Sequence, residues 1–112
     1  MAGWQEQFLK EIQGAQEARA RNNEGQARVR ARRAAGVAIR EYLSRRGQRV
    51  LSSSAYDLLK LLLDLPGIPA GARQPAEYLT LRVNEEFKLP VDADLVEEAR
   101  SLCEHLLPGE IK

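Results

Sequence analysis

The stretch that decides the fold is QARVRARRAAGVAIREYLSRRG, residues 26–47. Its alanines and Tyr42 fall within one arc of a helical wheel, which predicts an α-helix from about Gln26 to Arg46. Gly47 then ends this helix, because glycine adopts the left-handed backbone of a helix C-terminus at little cost. Alanine-rich faces let helices approach closely, so we expect a central helix that its neighbours cover. The alanines of this face are Ala27, Ala31, Ala34, Ala35 and Ala38.

Arginines occupy much of the remaining circumference of this helix. Arg30, Arg33 and Arg40 lie opposite the alanine arc, which predicts that they point outward. Arg28 and Arg32 lie at the edge of the arc, where an unpaired charge would be costly. These two are therefore expected either to meet acidic side chains or to line a groove.

The rest of the chain also shows helical patterns. No segment alternates apolar and polar residues over the length of a strand. Because every link between the expected helices is short, the sequence predicts an all-α fold. We expect an up-and-down antiparallel four-helix bundle, with or without a short fifth helix, in one domain of residues 1–112. The other expected helices run from about Trp4 to Arg21, from Ser52–Ser54 to about Leu65, from Pro75 to about Phe87, and from Asp92 or Asp94 to Leu106.

The segment from Asp57 to Leu65 is rich in leucine and apolar around most of a helical wheel. Its polar residues, Asp57, Lys60 and Asp64, fall in one narrow stripe. Such a helix must be covered on more than one side. In a chain this short, one of those covers would be a second subunit, so the sequence favours a homodimer.

Composition places the chain among globular proteins. Of its 112 residues, 44% are hydrophobic and 29% are charged, which excludes intrinsic disorder and suits one domain. A single cysteine, Cys103, cannot form an internal disulfide. The N-terminus lacks the pattern of a signal peptide, and the longest apolar run, Leu61–Leu63, is far shorter than the ~20 residues that span a membrane. We therefore expect a cytoplasmic protein that has no membrane span.

The net charge of +1 hides an asymmetry along the chain. Between Arg19 and Arg49 there are ten arginines and two acids, which give this segment a charge of +8. Between Gln74 and Lys112 there are nine acids and four bases, which give −5. Opposite charges at the two ends favour pairing within the molecule or across a dimer, and an arginine-rich face equally suits a polyanion. The sequence leaves both alternatives open.

No motif of a metal site or of a phosphate-cradling glycine loop occurs in the chain, so we expect no cofactor. Arg100 and His105 have the spacing of a guanidinium–imidazole pair that could cleave RNA. Five residues along a helix are about 140° apart around its axis, however, so the two side chains diverge. A surface histidine is the preferred interpretation. Cys103 lacks an activating partner and is expected to pack as a small hydrophobic side chain.

The arginine-rich helix is the one feature that points to a ligand, because a guanidinium forks onto two oxygen atoms of a phosphate. The alternative is a solvated face whose arginines pair with the acidic C-terminal half of the chain. A membrane-surface helix is disfavoured, since the apolar arc consists of alanine rather than large side chains. Base stacking has weak support, since Trp4 lies far from the basic segment. The predicted phosphate-binding residues are Arg28, Arg32, Arg33 and Arg40.

Three places in the chain resemble the HEPN domain family of small four-helix-bundle proteins. The segment Arg32–Leu43 is similar to the alanine-rich helix of the family, which leads into a glycine-containing turn. Ser54–Leu62 resembles the start of a later helix, with Ala55 or Ser54 where histidine is usual. Lys88–Pro90 precedes the last helix, where many members have Arg-Tyr-Pro. The likeness covers most of the chain.

The resemblance implies a helical module that commonly dimerises. Some members bind nucleotides beside a partner nucleotidyltransferase, and others are ribonucleases with an Arg-x4-6-His motif in a dimer cleft. Here the one matching pair is Arg100 and His105, close to the C-terminus and with only Ser101 as the polar residue after the arginine. The ribonuclease activity is therefore not carried over.

The expected function is a non-catalytic nucleotide- or RNA-binding module of HEPN type. It would act as a homodimer or with a protein partner, for which a nucleotidyltransferase-like protein is the candidate. One alternative is a protein-interaction module without a role in nucleic-acid binding. A second alternative is a HEPN-type ribonuclease that uses Arg100 and His105.

Overall fold

The structure, a computed structural model, describes residues 3–82 and 88–111. Within these ranges the chain forms five helices and no strand. The predicted all-α class is confirmed, whereas the up-and-down antiparallel arrangement of a four-helix bundle stays a prediction. None of the described helices is both long and apolar enough to cross a membrane. The helices are α1 (Trp4–Ala20), α2 (Glu24–Arg45), α3 (Ala55–Asp64), α4 (Ala70–Thr80) and α5 (Leu95–Leu106).

Helix α2 lies at the centre of the fold, in contact with α1, α3 and α5. Every alanine of its predicted apolar face is fully buried, together with Ile39 and Leu43. Helix α4 packs against α3 and α5. The small alanine side chains explain the central place of α2, because they let its neighbours come close to its backbone.

Large apolar side chains from the other helices surround the alanine face. On α3, Leu58, Leu59 and Leu62 are buried, while Leu61 remains 38% exposed. Two helices of the same chain, α2 and α4, contact this leucine-rich helix. Its apolar character therefore does not by itself require a second subunit. The other large buried side chains include Phe8, Ile12, Leu79, Leu95, Val96 and Leu102.

The two ends of α2 follow the signals in the sequence. Asn22 has a left-handed backbone with a φ of 61°, and the side chain of Asn23 accepts a hydrogen bond from the amide of Gln26 at 3.1 Å. This cap starts α2 two residues before the predicted position. Gly47 has a φ of 74°, the left-handed conformation predicted for it.

Side-chain caps also begin α3 and α5. The hydroxyl of Ser54 accepts a hydrogen bond from the amide of Asp57 at 3.3 Å. One carboxylate oxygen of Asp94 accepts from the amides of Val96 and Glu97 at 3.1 and 3.3 Å. The predicted start of α3 within Ser52–Ser54 is confirmed at Ser54, and Asp94 rather than Asp92 begins the last helix.

The fourth helix differs from its prediction. It begins at Ala70 rather than Pro75 and ends at Thr80, after which Leu81 has an extended backbone. The predicted end at Phe87 lies outside the described residues. Proline suits the first turn of a helix, where no intrahelical donor is needed. Pro75 instead lies inside α4 and is buried, so core packing offsets the intrahelical hydrogen bond that proline cannot make.

Candidate phosphate-binding surface

Part of the basic charge is neutralised within the molecule. Arg19 binds both Glu24 and Asp94, with nitrogen–oxygen distances of 2.7 and 3.0 Å. Arg45 binds Glu110 through two contacts of 2.5 and 2.6 Å. Asp94 and Glu110 belong to the acidic C-terminal part of the chain. Pairing between the two oppositely charged segments therefore occurs at these two arginines.

Arg30 is also paired, contrary to the prediction that it points outward. Its Nε lies 2.6 Å from Oε1 of Glu11, and both atoms are buried. The guanidinium fills the space beside Gly14 of α1, where a Cβ atom would overlap it. Because Gly14 has no side chain, the guanidinium of Arg30 fits against α1. The helical wheel of α2 alone does not predict this contact.

Four arginines of α2 have no carboxylate within ion-pair distance among the described residues. Arg33 and Arg40 are exposed, as predicted. Arg28 and Arg32 are half-buried, which agrees with their predicted place at the edge of the packed face. These four are the predicted phosphate-binding residues, so they stand apart from the arginines that form internal ion pairs.

Arg32 has a structural role at the end of α4. Its Nε donates to the carbonyl of Leu79 at 2.8 Å, and its Nη2 donates to the carbonyl of Leu81 at 2.5 Å. Carbonyls at a helix C-terminus lack intrahelical donors, and Arg32 supplies them. Burial, followed by the charges of Arg82 and Arg28, lowers the pKa of Arg32. The side chain is thus held in place with part of its five-donor guanidinium still unused.

A cavity of about 770 Å³ lies between α1, α2 and the start of α3. Trp4 lines it together with Arg33 and Arg40, and we call it the Trp4 cavity. Glu11 and Glu41 also line this cavity. Glu11 binds Arg30 and Glu41 binds Arg45, and both of these arginines lie outside the cavity. The arginines of the Trp4 cavity therefore leave it with a positive charge.

A second cavity, of about 690 Å³, adjoins the first, and Val29 and Arg32 line both. We call it the Tyr56 cavity because Tyr56 forms part of its wall. Its other basic residues are Arg28, from α2, and Arg82, from the segment after α4. Three guanidinium groups from two parts of the chain thus meet around one cavity.

Folding brings an aromatic side chain to each cavity. Trp4 lines the same cavity as Arg33 and Arg40, although it lies far from the basic segment along the chain. The guanidinium carbon of Arg82 lies 4.4 Å from the ring centre of Tyr56. No pattern in the sequence singles out Arg82, because this residue follows α4 and meets α2 only in the folded chain.

The two residues considered for RNA cleavage lie on a regular helix. Arg100 and His105 belong to α5, which is uninterrupted, so their side chains diverge as predicted. Nδ1 of His105 lies 2.8 Å from the carbonyl oxygen of Ser101. The imidazole packs against Gly71 of α4, which lacks a Cβ atom that would overlap it. These contacts give His105 a packing role.

Cys103 is buried, as predicted for a small hydrophobic side chain. Burial, with smaller contributions from Glu104 and Glu110, raises the pKa of its thiol to about 12. The thiol is therefore protonated at neutral pH and is a poor nucleophile. In the described parts of the chain, no group of histidine, cysteine and acidic side chains is placed to hold a metal ion.

No family model matches the chain, and the comparisons with curated proteins and with solved structures give no significant match. The HEPN resemblance therefore rests on the three sequence segments alone. In the structure Arg32–Leu43 lies within α2, Ser54–Leu62 covers the cap and most of α3, and Lys88–Pro90 precedes α5. Membership of the family stays a prediction.

Proposed function

We propose that the chain is a non-catalytic module that binds a nucleotide or RNA through its phosphates. The observation that carries the proposal is the separation of the arginines of α2 into two groups. One group is neutralised by acids of the chain, and the other lines two adjacent cavities without an acidic partner among the described residues. The proposed phosphate-binding residues are Arg28, Arg32, Arg33 and Arg40.

The dimensions of the surface suit more than one phosphate. Arg28 and Arg40 are twelve positions apart on α2, which corresponds to roughly 18 Å along a helix axis. A guanidinium binds phosphate oxygens in a forked geometry and keeps its charge at any physiological pH. Trp4 places an aromatic ring in the Trp4 cavity, on which a base can stack. These features support a ligand that combines phosphates with bases.

The remaining parts of the proposal follow from the HEPN resemblance. The module would be an up-and-down antiparallel four-helix bundle with a short additional fifth helix. It would work in the cytoplasm as a homodimer or beside a nucleotidyltransferase-like protein. Light scattering of the purified chain tests the dimer directly, and a monomer at all concentrations would contradict it.

Binding of a fluorescein-labelled single-stranded RNA, followed by fluorescence anisotropy, tests the proposal. Each arginine–phosphate contact that forms releases condensed counterions from the RNA, so affinity should fall steeply between about 50 mM and 200 mM salt. For three or four contacts, the slope of log K against log salt is expected to be roughly −2 to −3. The proposal would be contradicted if neither RNA nor nucleotides bind at low salt. It would also be contradicted if the affinity for RNA does not change with salt concentration.

Matched variants separate the proposed surface from general positive charge. Arg33→Ala combined with Arg40→Ala removes two charges from the Trp4 cavity, and both residues are exposed. Arg21→Ala combined with Arg49→Ala removes the same charge from exposed positions outside both cavities. The first pair should weaken RNA binding much more than the second pair. Equal losses would show that only the net charge matters.

The ion pairs of the basic segment favour a second candidate function. Arg19 and Arg45 reach acids of the C-terminal part, so the same charge pattern would suit contacts between proteins. If this alternative holds, the double variant Arg33→Ala and Arg40→Ala would change the oligomeric state, and the native chain would not bind nucleic acid. Sedimentation velocity of this variant and the native chain distinguishes the two functions.

The ribonuclease alternative has its own test. It requires that the native chain cleave a panel of RNAs without added metal and that His105→Ala abolish the cleavage. The diverging side chains of Arg100 and His105 on α5 argue against it.

A further inference from the structure

The charge around the Tyr56 cavity is unbalanced. Arg28, Arg32 and Arg82 line it, and Glu24 is the only acid among the described residues of its wall. Both carboxylate oxygens of Glu24 are already held by Arg19, at 3.0 and 2.7 Å. None of the three arginines of the cavity therefore has a carboxylate within ion-pair distance among the described residues, and the charge of Arg28 is the only one of the three that acts on Glu24.

This arrangement is costly without an anion. Like charges that share a site repel each other, and the effect is stronger where solvent is partly excluded. Arg32 is half-buried, and after burial the charges of Arg82 and Arg28 are the causes that lower its pKa. An anion in the cavity would relieve this repulsion and recover part of the unfavourable energy.

Two of the three guanidinium groups, those of Arg32 and Arg82, are held in position before any ligand arrives. The carbonyls of Leu79 and Leu81 fix Arg32 through two hydrogen bonds. Tyr56 holds Arg82 by a cation–π contact of 4.4 Å. Preorganised donors bind an anion more tightly because less side-chain freedom is lost on binding.

The start of α2 adds donors to the same cavity. Its first intrahelical bond runs from the amide of Ala27 to the carbonyl of Asn23, and the Asn23 side chain accepts from Gln26. The amides of Glu24 and Gly25 therefore have no intrahelical acceptor, and both residues line the cavity. The positive end of the helix dipole favours an anion at this place.

We propose that the Tyr56 cavity binds the terminal phosphate or diphosphate of a nucleotide or of an RNA strand, with Arg28, Arg32 and Arg82 as its cationic ligands. A terminal phosphate carries about −1.5 to −2 charges at neutral pH, whereas a phosphate within a strand carries one. Three converging guanidinium groups match the more highly charged group. The inference rests on the proposed function and names the part of the ligand that this cavity selects.

Inorganic pyrophosphate is the first probe, because it carries the terminal group without a base or a sugar. It should raise the melting temperature of the full chain, and calorimetric titration should give a saturable isotherm. Arg82→Ala and Arg28→Ala are each expected to weaken pyrophosphate binding by about tenfold or more, the equivalent of one charge-assisted contact. Arg49→Ala, which removes one charge from an exposed position outside both cavities, should change pyrophosphate binding less than about twofold.

An RNA of one sequence, with either a 5′-phosphate or a 5′-hydroxyl end, tests the position of the group in the strand, and ADP tests the free nucleotide. Tighter binding of the phosphorylated strand, or of ADP over adenosine, supports the inference if Arg82→Ala removes the preference. RNA bound without a preference for its end, together with no effect of pyrophosphate or ADP, overturns the inference and leaves the proposed function standing. Failure of all ligands to bind overturns both.

Discussion

Arg19 at the end of α1 binds Asp94, the residue that caps α5, although 75 positions separate them in the chain. The two contacts join Nη1 to Oδ2 at 3.1 Å and Nη2 to Oδ1 at 3.0 Å. Because Oδ1 of Asp94 also accepts from amides of the first turn of α5, one carboxylate both starts a helix and fixes it to α1.

Asp94→Ala removes the cap and the contacts with Arg19 together. We expect the free energy of unfolding to fall by about 1–2 kcal/mol, the usual cost of losing a helix cap, with little added for the half-exposed ion pair. Asp94→Asn should recover most of this loss, since asparagine also caps helices. Asp92→Ala, at an exposed position two residues earlier, serves as the control in urea titrations. A loss of equal size in this control would contradict the assignment of the cap.

Acid should weaken the contacts of Arg19. The hydrogen bond from Arg19 lowers the pKa of Glu24 below its ordinary value of 4.5. Burial alone would raise the pKa of Asp94, but the hydrogen bond from Arg19 and two backbone amides lower it below 3.8. Carboxylates whose pKa is lowered by folding stabilise the native state above these ordinary values, and the contribution is lost as the pH falls through the lowered pKa values.

The difference in stability between the native chain and Arg19→Gln is therefore expected to be largest near neutral pH and to shrink below about pH 4. Urea titrations between neutral and acid pH measure it, with Arg21→Gln as the control for loss of one exposed charge. A difference that stays constant with pH would contradict the role of Arg19.

Arg32→Lys tests the structural role of this residue apart from its charge. Lysine keeps the positive charge but cannot reach the carbonyls of Leu79 and Leu81 with two fixed donors. The expected loss is about 1–3 kcal/mol in the free energy of unfolding, the range for a buried acceptor left without its donor. Arg33→Lys, at the exposed neighbouring position, should be close to neutral. Equal stability of the two variants would show that Arg32 does not hold the end of α4.

Gly36 allows α2 and α3 to approach closely. A Cβ atom at this position would lie 3.3 Å from Cα of Ala55, so a larger side chain must push backbone apart. Gly36→Val should cost about 1–3 kcal/mol through overpacking. Gly25→Val is the control, because the nearest atom to a Cβ there is 3.9 Å away and the position is exposed. Thermal unfolding of both variants is the measurement, and similar melting temperatures would contradict the close contact.

The thiol of Cys103 should react slowly with Ellman's reagent in the native state. It is 2% exposed and its pKa is raised to about 12, so both access and the thiolate fraction are low at pH 7.5. Urea above the unfolding midpoint should bring the rate to that of a free thiol. Fast labelling without denaturant would show that α5 opens readily or that the thiol is accessible.

Local signals in the sequence account for most of the helix ends. Asn22, Asn23, Gly47 and Ser54 act where their backbone and capping preferences indicate. Pro75 misled the prediction of α4, because proline is typical of a first helical turn but is tolerated inside a helix when packing compensates. That compensation depends on the surrounding core, which no local pattern contains.

The candidate site could be predicted only in part. The helical wheel of α2 correctly predicted that Arg33 and Arg40 are exposed. It also correctly placed Arg28 and Arg32 at the edge of the packed face, where they are half-buried. It was wrong for Arg30, since Gly14 on another helix decides where this side chain lies. Arg82 could not be found at all, because nothing near it in the sequence marks it as a neighbour of α2.

The sequence by itself determined the central helix and its density of arginines, because helical periodicity, alanine size and capping chemistry are local properties. Only the tertiary structure decided which of those arginines are neutralised. An ion pair depends on a distance of a few ångströms between side chains that can be far apart in the chain, as Arg19 and Asp94 are. The same physical reason explains why the Tyr56 cavity, with Arg82 beside Arg28 and Arg32, exists only in the folded chain.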